Sequence, residues 1–122
     1  MKHKKVLLIV AALATGIILF AVIRAPSLTS LAATLPPEKF AGKTREAYQA
    51  AKDIPQTIAQ MPCYCYSDRG MGHKSLHSCF EDDHAAHCDV CANEALIAYR
   101  LQKEGLTPKQ IRERIIAQFS ER

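Results

Sequence analysis

The 122-residue sequence contains no tryptophan, only 7% aromatic residues, and no signature of the common catalytic machineries. No paired carboxylates, nucleophile elbow or phosphate loop accompany its reactive residues, so the chain reads as a binding protein rather than an enzyme. No internal repeat is present, which excludes a solenoid or an array. A large multidomain enzyme, or a pocket built between two lobes, is excluded by length.

An excess of one charge is also missing once the amino terminus is set aside. The formal net charge of +4 arises from Lys2, Lys4, Lys5 and Arg24, which flank one apolar run; from Ala33 onward twelve Lys/Arg face twelve Asp/Glu. A neutral folded part carries no basic footprint, so no nucleic-acid partner is expected.

The apolar run, Val6 to Ile23, is 18 residues without a charge. As a helix it would span roughly 27 Å, close to the hydrocarbon thickness of about 30 Å. Residues 1–24 therefore read as a membrane anchor, with a cleaved signal peptide as the rival because Ser30-Leu31-Ala32 offers small residues for cleavage. In either case the Lys2/Lys4/Lys5 cluster stays in the cytoplasm and the rest lies outside it. The expected location is a single-pass cell-membrane protein with an extracytoplasmic domain, secreted if the leader is cleaved. No Cys directly follows the run, which argues against a lipid-attached amino terminus. Residues 25–37, with Ser, Thr, Ala and the Pro36-Pro37 pair, form a linker, and 38–122 the domain.

Within that domain the patterning is helical, and the expected fold class is all-α. Thr44 to Lys52 places Ala47, Tyr48 and Ala51 on one face, with Thr44 as cap. A short turn follows from Pro55 to Gln60, then a loop from Cys63 to Gly72, and one or two helical turns within His73 to Phe80. A helix from about His84 to Glu104 starts at Asp82 or Asp83 and stops at Gly105. Thr107, Pro108 and Gln110 are cap, first-turn proline and capping-box partner of the last helix, with Leu106 and Ile111 placed for a hydrophobic staple. Ile111, Ile115 and Phe119 face the preceding helix at Leu96, Ile97 and Leu101, giving a helical hairpin around a loop-rich centre.

That centre holds nine Cys and His in the 29 residues from Cys63 to Cys91. On one continuous helix His84, His87, Cys88 and Cys91 share a stripe, and Ala95 and Ala98 continue it with side chains small enough for close packing. Near a helix start the dipole also favours the Cys88 thiolate. Cys63-Tyr64-Cys65 supplies a second pair, tighter than the two to four intervening residues usual at structural zinc. Thiolate-rich sites select soft ions such as Cu(I), and mixed His/Cys sets also suit zinc, so the expected cofactor is Cu(I) or Zn(II). Candidate ligands are Cys63, Cys65, Cys88, Cys91, His84 and His87.

Other residues carry plainer readings. Cys79 reads as a buried apolar residue or an odd thiol, and His73 and His77 as second ligands or surface residues. Asp82 and Asp83 read as helix caps, and Tyr64 and Tyr66 as covers that exclude water. Cys63 and Cys65 could instead pair with Cys88 and Cys91 in two disulfides, permitted outside the cytoplasm. Cys88-Asp89-Val90-Cys91 is followed by Ala92, so it is no haem-attachment motif. It could exchange disulfides as in thioredoxin-like proteins, although their βαβ pattern is missing.

Pro62-Cys63-Tyr64-Cys65, Gly72-His73-Lys74-Ser75-Leu76, Cys79-Phe80 and His84-Ala85-Ala86-His87-Cys88-Asp89-Val90-Cys91 resemble the bacterial CYCXC family. That family of proteins and selenoproteins is named after its Pro-Cys-Tyr-Cys-x-Cys motif. The resemblance implies a membrane-anchored or secreted protein and assigns no activity. Its third Cys, or selenocysteine, is Ser67 here, which weakens a thiol-redox role and leaves the four-Cys metal site intact. The sequence thus points to a metal-binding protein, a carrier or sensor, with a metal-transfer or redox partner still to be identified. A thiol–disulfide protein using Cys88/Cys91 and a disulfide-stapled interaction module are the alternatives.

Overall fold

A computed structural model of the chain describes residues 30–65 and 72–120. The proposed anchor, residues 25–29 of the linker, and Tyr66 and Ser67 lie outside the described residues. No helix among the described residues is long and apolar enough to cross a membrane. Leu31 to Arg122 forms a compact unit of its own.

The described part is helical, with no strand among its residues. Four α-helices, α1 (Gly42–Asp53), α2 (Pro55–Ile58), α3 (Asp89–Lys103) and α4 (Pro108–Phe119), are joined by 3-10 turns at Pro37–Lys39, Leu76–Phe80 and His84–Ala86. Helix α1 packs on α3. Both bury small residues, Ala47, Ala50 and Ala51 on one and Cys91, Ala92, Ala95 and Ala98 on the other. Alanines at helical spacing remove the side-chain bulk that would hold two backbones apart.

The larger apolar groups sit around this seam. Tyr48 is fully buried, stacks on Phe40 at 4.0 Å and meets the Phe80 edge at 5.0 Å. Its hydroxyl donates to the Asp82 carbonyl at 2.7 Å, tying α1 to the segment between Phe80 and His84. Burial pushes the Tyr48 phenol up to about 12, because the phenolate has little water to solvate it. Phe40 against Tyr48 also fixes the chain as it enters α1. That helix begins at Gly42, two residues before the expected Thr44 cap, and its Ala41 cap position makes no side-chain capping bond.

Helix α4 starts as its sequence indicates. Thr107 accepts from the Gln110 amide, Gln110 Oε1 accepts from the Thr107 amide at 2.9 Å, and Pro108 occupies the first turn. Ile111, Ile115 and Phe119 are its buried stripe, and Leu96, Ile97 and Leu101 pack half-buried against the same core. Gly105, at φ 92°, closes α3 in the left-handed region where a side chain would be strained.

One expected element is corrected. The single helix over His84–Glu104 is two pieces, a 3-10 turn at His84–Ala86 and α3 from Asp89, separated by Cys88 in an extended conformation (φ −130°, ψ 100°). The Asp82 carboxylate accepts from the His84 amide at 2.8 Å, where the short turn begins. A continuous helix would separate His84 and Cys91 by about 10 Å along its axis, at about 1.5 Å per residue. The break removes that separation.

Candidate metal centre

Three chain segments deliver sulfur to one place. The turn after Met61 carries Cys63 and Cys65, the 3-10 turn Leu76–Phe80 carries Cys79, and the start of α3 carries Cys88 and Cys91. The first turn is held at several points. Leu76 donates its amide to the Met61 carbonyl at 3.0 Å, and the Tyr64 ring stacks on Phe119 at 6.2 Å. The Tyr64 amide, between the two cysteines, donates to Glu94 Oε1 at 3.1 Å. All five cysteines stand as thiols rather than disulfides.

Cys63 Sγ lies 3.0 Å from Cys65 Sγ and 3.4 Å from both Cys91 Sγ and Cys79 Sγ. Cys65 Sγ is 3.4 Å from His84 Nε2, and Cys79 Sγ is 3.4 Å from His73 Nδ1. Three sets have ligand atoms that all lie within 4.8 Å of one another: Cys63/Cys65/Cys79/Cys91, Cys65/His84/Cys88/Cys91, and His73/Cys79/His84. Tetrahedral ligands on bonds of about 2.3 Å stand about 3.8 Å apart, so small shifts would turn these contacts into coordination. The Cys/His cluster could therefore hold a metal ion.

The electrostatics point the same way. Packing against the Cys63 and Cys79 thiols, then burial, pushes the Cys91 thiol up from its ordinary range. Thiols this close cannot all ionise unless a cation lies among them, and a metal that binds them displaces their protons. His73 has its Nε2 3.4 Å from the Asp82 carboxylate while Nδ1 faces Cys79. A carboxylate on the far ring nitrogen is how metal-binding histidines are commonly oriented.

Of the residues singled out from sequence, Cys63, Cys65, Cys88, Cys91 and His84 come together. His87 does not join them. Its side chain is 78% exposed, with Nε2 3.8 Å from Asp83 Oδ2, because the break after the 3-10 turn removes it from the ridge it would share on a continuous helix. Cys79 is buried, as a small apolar residue would be, and is also in contact with the cluster. His77 is buried with Nδ1 3.0 Å from Glu81 and belongs to none of the three sets.

Glu94 was missed in the sequence. It is fully buried on α3, three residues beyond Cys91, and its Oε2 has no hydrogen-bond partner among the described residues. Burial, with the Cys63 thiol adding to it, pushes its carboxyl up to about 9. The signal was available: Glu94 is the one acidic residue on the face that carries Cys91, Ala95 and Ala98.

No curated protein and no solved structure is significantly similar to the chain. The family described as "Protein of unknown function with PCYCGC motif" matches residues 26–122, and the motif begins here with Pro62-Cys63-Tyr64-Cys65. Tyr66 and Ser67 stand where its name has Gly and Cys. With that match running from the linker to the last residue, the chain belongs to the PCYCGC-motif family.

Proposed function

We propose that this protein binds a soft metal ion, Cu(I) or Zn(II), outside the cytoplasm while tethered to the membrane by residues 1–24, as a metal carrier or sensor. The observation that carries the reading is the convergence of Cys63, Cys65, Cys79 and Cys91, from three segments, with all four sulfurs within 4.8 Å of one another. Thiolate sulfur is the ligand type that favours such ions. Cys63 and Cys65 are half-buried, which suits donors that receive an incoming ion or meet a transfer partner. The apolar run Val6–Ile23 and the basic cluster before it support the tether and its sidedness.

The test is the metal content and titratable thiol count of the full-length chain purified without oxygen and without added reductant. The reading expects at least about one equivalent of Cu or Zn, with helicity that falls when a chelator removes it, since site formation and folding are coupled. Two stable disulfides and no metal would instead make it a stapled interaction module.

A second reading, thiol–disulfide exchange, draws support from the 3.0 Å approach of Cys63 and Cys65 sulfurs. It adds Cys63/Cys65 as an exchanging pair beside Cys88/Cys91. A dithiol that titrates near the compartment's redox poise, without bound metal, would favour it.

A further inference from the structure

The metal reading treats the cluster as one site, but its donors exceed what one soft ion takes. Zinc in structural sites is almost always four-coordinate. The two four-membered sets contain six different residues, Cys63, Cys65, Cys79, Cys91, His84 and Cys88, and share two of them, Cys65 and Cys91. Two tetrahedra that share an edge have this composition, with two common corners and two private corners each. Thiolate sulfur has lone pairs enough to bridge two cations, whereas imidazole nitrogen does not. The residues common to both sets are both cysteines, and the imidazole of His84 belongs to one of the two, while its nitrogen also lies within 4.8 Å of Cys79 and His73 donor atoms.

We propose that the centre is dinuclear, with the Cys65 and Cys91 thiolates bridging two soft cations. Cys63 and Cys79 complete the shell of one ion, and His84 and Cys88 complete the shell of the other. The inference rests on the metal-binding reading above and adds the number of ions and the role of each ligand. A single cation would leave the thiols outside its shell protonated, and a second lets all five cysteines ionise and coordinate, the fully buried Cys79 and Cys91 among them. The fold supplies the placement as well: the extended Cys88 backbone between the His84 turn and α3 lets His84, Cys88 and Cys91 gather around Cys65.

Native mass spectrometry of the reduced full-length chain, titrated without oxygen with Cu(I) and separately with Zn(II), tests this. Two ions per chain at saturation are expected for at least one metal. Cys88→Ser and Cys63→Ser should each reduce the count to one, and His87→Ala should leave it at two. Cys65→Ser, which removes a bridge, should weaken both ions and remove at least one. Circular dichroism of the metal-free variants identifies any that fail to fold, and His84→Ala then serves in place of Cys88→Ser. Saturation at one ion, or two ions in which Cys88→Ser and His84→Ala change nothing, overturns the dinuclear assignment and leaves the metal reading standing. No bound metal in the folded wild-type chain overturns both.

Discussion

Replacing Glu94 with Gln is expected to change how the stability of the metal-free protein depends on pH. Glu94 is fully buried beside the Cys-x-Cys turn, and burial is the main reason its carboxyl is pushed from 4.5 up to about 9. Below 4.5 the carboxyl is protonated in both the folded and unfolded chain, and its contribution to stability is fully present. As pH rises toward 9 the unfolded chain releases this proton while the folded chain retains it, so stability falls. The slope is about 1.4 kcal/mol per pH unit, so from about pH 5.5 to about pH 7.5 the group removes about 2–3 kcal/mol. Gln keeps the carbonyl oxygen that accepts from the Tyr64 amide and has no proton to release. Urea unfolding of both proteins, reduced and with chelator present, measures the effect as a difference, so other titrating groups cancel. The wild-type chain should lose about 2–3 kcal/mol relative to Glu94→Gln across that interval. Parallel stability curves would refute the argument that Glu94 is a neutral buried acid.

Three further outcomes follow from the fold and the cluster. His84→Ala should weaken metal binding by roughly tenfold or more in a chelator competition, while His87→Ala, exposed beside Asp83, should leave it within error. Thr107→Ala removes the cap of α4 and should cost about 1 kcal/mol in urea unfolding. Ala95→Leu forces a large side chain into a fully buried alanine position on α3 and should destabilise by about 1–3 kcal/mol by the same measurement.

Local signals in the sequence were strong where the chemistry is local. Thr107, Pro108 and Gln110 mark the start of α4 because capping involves residues within one turn of each other. Gly105 marks the end of α3 because few other residues adopt its backbone conformation without strain. The alanines of α3 were readable as a close-packing face by their spacing, and the density of Cys and His marked where to look for a site.

Features set by tertiary contacts were not readable in this way. The break at Cys88 has no glycine or proline to announce it; it is an extended residue between a 3-10 turn and a helix. That break is also why His87 points to Asp83 and solvent rather than to the cluster. Cys79 shares no spacing pattern with the other cysteines, and only folding brings its sulfur to Cys63. His73 is likewise placed by Asp82 and Cys79, neither of them on its own turn. Glu94 occupied a readable position, but an acid on an alanine face gains meaning only when the Tyr64 amide is found against it.

The central claim is that sulfur from the Cys63 turn, the Cys79 turn and the start of α3 serves as the ligand set for a soft cation. X-ray absorption spectroscopy at the zinc edge, on the full-length chain loaded without oxygen, examines this most directly. A first shell dominated by sulfur at about 2.3 Å is the predicted result; a shell of only nitrogen and oxygen near 2.0–2.2 Å would contradict it.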